Sequence, residues 1–125
     1  MKLEFLADGS PDCPLLRLYD FHHEEAANLH RILKSLGNGF RESVQLDEEH
    51  GFQAVSGCRL TLQVDKHNLG LVQTAPRIFH CALTNESWDW MAELVEPFCK
   101  PEGNGYQWLN EEGAISLLLS KTGHW

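Results

Sequence analysis

Seven histidines, four cysteines and eighteen carboxylates are the side chains from which a metal or acid–base centre would be built in this chain. The densest stretch is His22-His23-Glu24-Glu25, with His30 following. A helical zinc motif of the HExxH kind sets two histidines four residues apart so that both reach one ion. His23 and His30 share a helix face, but seven residues at ~1.5 Å rise put them roughly 10 Å apart. That is too far for one ion held at ~2.1 Å. Solvated or capping histidines are expected, with His22 near an apolar helix stripe. A metal centre would need His22, His80 and a turn carboxylate brought together by folding.

His80-Cys81 is the one adjacent His/Cys pair. On a strand, neighbours point to opposite faces, so they form no nucleophile–base pair. Cys81 shares its face with Phe79 and Leu83 and reads as an inert buried thiol. The carboxylate pairs Glu24/Glu25, Glu48/Glu49 and Glu111/Glu112 fall in turns or exposed helix turns. A catalytic acid needs an apolar pocket to raise its pKa, and none of these has an apolar flank. The two Gly-Asn-Gly segments, 37–39 and 103–105, follow helices rather than precede them, whereas a phosphate cradle needs a helix N-terminus. No catalytic residue and no cofactor is assigned.

The tryptophans carry more. Trp88 and Trp90, two apart on a helix, cannot occupy one angular position and are expected to flank the apolar stripe. Trp125 follows Gly123-His124 and is expected to be tucked down rather than frayed. Trp88, Trp90 and Trp125 are the candidate ligand or interface residues, since tryptophan is enriched at binding surfaces.

Positioning these residues requires an α+β fold. Residues 2–6 and 15–19 read as strands, with Asp20 as helix N-cap. A helix over 22–36 carries the stripe Ala26, Leu29, Ile32, Leu33 and Leu36, closed by Gly37 as a left-handed terminator. Val44 and Leu46 mark a short strand. Cys58, Leu60, Leu62 and Val64 alternate with polar residues as a half-buried strand, expected to be central. Lys66-His67-Asn68 reads as a hairpin into 69–73, and Pro76 as a bend. Another strand spans 78–83. Asn85 caps a second helix running to about Cys99, with the stripe Trp88, Met91, Leu94, Val95 and Phe98, and Pro97 should kink or fray it. Two last strands occupy 106–109 and 114–120.

The expectation is one domain over 1–125: a largely antiparallel sheet with two helices packed on one face. Residues 15–64 and 78–120 follow a similar strand–helix–glycine–strand order, so two similar β-α-β-β halves about a pseudo-twofold axis are expected. This order resembles the paired βαβββ modules of the vicinal-oxygen-chelate metalloenzymes in outline only. Leu15–Tyr19 has no histidine to act as a first-strand ligand and the second half is a strand short, so the chain is not assigned to that family.

The net charge is −8 at pH 7. Such a surface repels phosphate backbones, and no basic run overrides it, so nucleic-acid binding is not expected. No apolar run approaches the roughly 18 residues of a membrane span. Irregular cysteine spacing and the lack of a signal sequence imply free thiols and a cytoplasmic location. The functional expectation is a small soluble module that binds a protein partner, itself as a homodimer, or a small ligand. The alternative is a small metal-dependent enzyme with a His/Glu site assembled from separate elements.

Overall fold

A computed structural model describes residues 1–125. The strands are β1 (Lys2–Leu6), β2 (Leu15–Tyr19), β3 (Ser43–Gln45), β4 (Gln53–Ala54), β5 (Arg59–Val64), β6 (Gly70–Ala75), β7 (Ile78–Leu83), β8 (Tyr106–Asn110) and β9 (Ser116–Ser120). The helices are α1 (His23–Gly37) and α2 (Asn85–Val95). The α+β class is as expected, but the strands form two sheets rather than one. The first runs β4-β1-β2-β9-β8 and the second β3-β5-β7-β6.

Four pairs are antiparallel and three parallel: β1 with β4 at one edge, and a pair at the centre of each sheet, β2 with β9 and β5 with β7. In the first sheet the β1–β2 hairpin joins the β8–β9 pair. In the second, the β6–β7 hairpin joins the β3–β5 pair.

Alternation assigns the faces. Leu3, Phe5, Leu16, Leu18, Leu117 and Leu119 turn inward from the first sheet, and Leu60, Leu62, Phe79, Cys81 and Leu83 from the second. The rings of Phe5 and Phe79 meet at 4.6 Å between centroids, joining the sheets. Ala26, Leu29, Ile32, Leu33 and Leu36 of α1 and Trp88, Met91, Ala92 and Val95 of α2 complete one hydrophobic cluster. Burial of these apolar groups is the main favourable term.

Five local expectations are corrected. Asp20 does not cap α1: it takes a left-handed conformation (φ 54°) and pairs with Lys2 at 3.1 Å. His22 is the N-cap instead, its N–H donating to Glu25 Oε1 at 3.2 Å. Its side chain points to solvent, not into the apolar stripe.

Gly37 is the last residue of α1 and the left-handed residue is Gly39 (φ 79°). Gly37 serves the helix crossing, because a Cβ there would lie 2.9 Å from Asp89 Cβ on α2. Thr84, one residue before the expected cap, accepts from Ser87 N–H at 3.2 Å. Asn85 reaches across and donates Nδ2 to the Leu36 carbonyl at the end of α1 (2.8 Å). The second helix changes to 3-10 geometry over Glu96–Cys99, at Pro97, as its ring requires.

The 66–68 segment is not a hairpin. β6 does not pair with β5; it lies beyond β7 at the sheet edge, and Pro76-Arg77 make the β6–β7 turn. β7 takes the interior place because Phe79, Cys81, Ala82 and Leu83 are all buried, whereas β6 leaves Val72, Gln73 and Thr74 exposed.

Candidate functional site

The sequence candidates part company in the structure. His22 sits at the start of α1 and His80 on the outward face of the second sheet, where Nε2 meets Gln63 Oε1 at 2.6 Å. No three His, Cys, Asp or Glu side chains are arranged to hold a metal ion. Cys81 is buried and its thiol is pushed up to about 12 by burial, so it holds its proton. Burial, and secondarily Asp47, raises the Cys58 thiol as well, and Cys58 Sγ donates to the Leu3 carbonyl at 3.3 Å. All four cysteines are free thiols.

Trp88 is a core residue, not a ligand contact. It is fully buried, and its indole N–H donates to the Gln63 carbonyl at 3.0 Å, tying α2 to β5. Trp125 is tucked down as expected, its Nε1 donating to Asp12 Oδ2 at 3.0 Å. That contact joins the C-terminal segment to the 7–13 loop over the outer face of the first sheet. Beneath it Leu15 and Leu118 are fully buried. Arg17 holds the same layer, donating to Glu4 Oε1 and to the Gly123 carbonyl and stacking 4.0 Å from the Tyr19 ring.

Trp90 is the exception. Its residue exposure is 61%, although it lies on a helix whose opposite side is fully buried. It stands between two depressions. One, of about 440 Å³, lies among Glu86, Ser87, Asp89 and Glu93. The other, of about 420 Å³, runs between α2 and β8. Leu83, Met91, Leu94, Trp108 and Leu109 give this second groove an apolar floor, and Glu111 and Glu112 stand at its end.

Of the carboxylates around Trp90, only Asp89 is paired, with Lys34 Nζ at 2.5 Å. That hydrogen bond raises the lysine's pKa above its ordinary value. Glu86, Glu93, Glu111 and Glu112 have no ion-pair partner. The surface is thus an exposed indole with four of the five carboxylates around it unpaired.

The 111–113 turn is fixed by backbone contact with β6. Leu71 N–H donates to the Glu112 carbonyl at 3.4 Å. Gly70, at φ 84°, leaves no room there, since a Cβ would come within 2.5 Å of that carbonyl oxygen. Sequence reasoning missed Trp108, Glu111 and Glu112 as members of this site. The available signal was Tyr106 and Trp108 at i, i+2 on a strand that leads into the paired glutamates.

Comparison with known proteins adds no relative: no protein-family model, curated protein or solved structure matches the chain. No helix is long and apolar enough to cross a membrane.

Proposed function

We propose that the protein is a binding module that docks a basic protein surface against α2, with Trp90 as the central anchor. The observation that carries this reading is Trp90 itself, 61% exposed beside an apolar groove and ringed by unpaired glutamates. An apolar centre with a charged rim is the anatomy of a protein interface, and tryptophan is among its strongest anchors. A lysine or arginine laid over the indole gains cation–π attraction and meets the carboxylates beside it. The net charge of −8 adds long-range attraction for a positively charged partner and speeds its encounter.

The charge also argues between partners. A symmetric homodimer across α2 would set Glu86 and Glu93 against their own copies around the twofold axis. Like charges across an interface cost free energy, so a basic partner fits this surface better than a second copy.

Protein incubated with a lysine-rich polypeptide tests the reading, followed by tryptophan fluorescence and sedimentation. Saturable binding that weakens steeply with salt, and drops at least tenfold in Trp90→Ala and in Glu86→Lys/Glu93→Lys, is the expected result. Binding unchanged in both variants removes α2 from the interface. Dimer formation in the absence of polypeptide, abolished by Trp90→Ala, would replace the basic partner with self-association.

A further inference from the structure

The groove between α2 and β8 meets the edge of the first sheet at Trp108. β8 is the last strand of its sheet and pairs only with β9. The phase of that ladder is fixed at its start, where Lys121 N–H donates to the Gly105 carbonyl at 3.1 Å. In an antiparallel ladder, hydrogen-bonded and non-bonded pairs alternate. Since Tyr106 lies opposite Ser120, Gln107 opposite Leu119 and Trp108 opposite Leu118, Gln107 turns its backbone groups toward β9. Tyr106 and Trp108 turn theirs outward.

Of those outward groups, the Trp108 carbonyl has only a makeshift partner: the amide of its neighbour, Gln107 Nε2, at 3.0 Å. The strand reads Tyr-Gln-Trp-Leu-Asn, with no lysine, aspartate, glutamate or proline to blunt its edge. Exposed edges of this kind are templates for another strand unless protected. The irregularity between Trp108 and Asn110 ends the pairable stretch after two outward residues.

We infer that the groove takes an extended, basic segment of a partner protein, which adds to β8 as a further, short strand. Main-chain hydrogen bonds at Tyr106 and Trp108 hold it, as in other cases of strand addition. One side-chain row faces Met91 and Leu94, so it is apolar. Lysine or arginine flanks that row, because Glu93 lies on the helix side and Glu111 and Glu112 close the end. Trp108 borders both this groove and the outer depression beside Trp125. This inference rests on the basic-partner reading of the α2 face. It specifies the partner's backbone conformation, which that reading leaves open.

The probe is an acetylated, amidated hexapeptide of alternating lysine and valine, titrated to millimolar concentration into 15N-labelled protein. Two N-methylated forms accompany it, one methylated at the valines and one at the lysines. In a strand only alternate residues present their N–H to β8. Strand addition therefore predicts that one N-methylated form loses affinity roughly tenfold or more, as loss of several hydrogen bonds implies, while the other still binds. It also predicts that amide exchange slows at Tyr106 and Trp108, and not at Gln107, which is already bonded.

If the parent peptide binds but the two methylated forms behave alike, or exchange at Tyr106 and Trp108 is unchanged, strand addition is overturned and the basic-partner reading stands. If the parent does not bind, or a peptide with glutamate in place of lysine binds as well, both fall.

Discussion

Replacing Trp88 with phenylalanine isolates what holds α2 in place. The indole is fully buried and donates to the Gln63 carbonyl on β5 at 3.0 Å. Phenylalanine keeps most of the apolar contact but loses the hydrogen bond, a net cost of about 1 kcal/mol. The smaller ring also leaves a void. At about 24 cal/mol per Å³, a void of ~40 Å³ costs roughly 1 kcal/mol more. Trp88→Phe should therefore destabilise by about 2 kcal/mol, and Trp88→Ala by about 3–5 kcal/mol. Trp90→Ala should change stability by under about 1 kcal/mol, because that ring is mostly in water already. Urea unfolding followed by circular dichroism measures all three, with the slope m checked for constancy. A loss below about 0.5 kcal/mol for Trp88→Phe, or equal losses for the 88 and 90 alanine variants, would refute this division between a core tryptophan and a surface one.

Three further outcomes follow from the same packing. Leu62→Ala, on the interior strand β5, should cost about 2–5 kcal/mol in urea unfolding; a loss under about 1 kcal/mol would mean the site collapses around the missing side chain. Burial alone would raise the Glu25 carboxyl, but hydrogen bonds from the Met1 amino group and His22 N–H, with the amino charge, bring it below its ordinary 4.5. Its stabilisation is then full above that value and lost as pH falls below about 4.5, so Glu25→Gln should flatten the acid limb of a stability–pH curve. Thiol titration should count four cysteines in the denatured, unreduced protein, and Cys81 should stay unmodified in the native protein at pH 8, its thiol held at about 12 by burial; rapid native labelling at Cys81 would show that β7 opens.

Local periodicity made the elements legible, and competition between elements made their arrangement illegible. The alternation over 58–64 marked β5 and its buried face, because one face of a sheet must be apolar and the pattern is contained in seven residues. The parallel pairing of β2 with β9 joins segments about a hundred residues apart, and no local pattern encodes it. Adjacency in sequence pointed to a β5–β6 hairpin, yet β7 took that place because its inward and neighbouring residues are more apolar. Caps failed by one or two residues for a specific reason: polar side chains near helix ends were recruited elsewhere, Asp20 by Lys2 and Asn85 by the end of α1. In the site, Trp90 was legible as a ring off the helix stripe. Trp108, Glu111 and Glu112 were not, since they join it only because the edge of β8 lies along α2.

The acidic end of the groove shows how the fold commits local structure to a surface. Glu111 and Glu112 sit on a turn whose backbone packs against β6 of the other sheet, through Leu71 N–H and the Glu112 carbonyl. Two glycines permit this approach. Gly70 (φ 84°) and Gly113 (φ 91°) take left-handed conformations, and a Cβ on Gly113 would stand 3.0 Å from the Leu71 carbonyl oxygen. Each glycine costs backbone entropy on folding. In return the backbone of the turn is tied to β6 of the other sheet, which places both glutamates at the end of the groove beside α2. Both glutamates are without an ion-pair partner beside the exposed indole of Trp90, and it is this uncompensated charge that the proposed basic partner would meet.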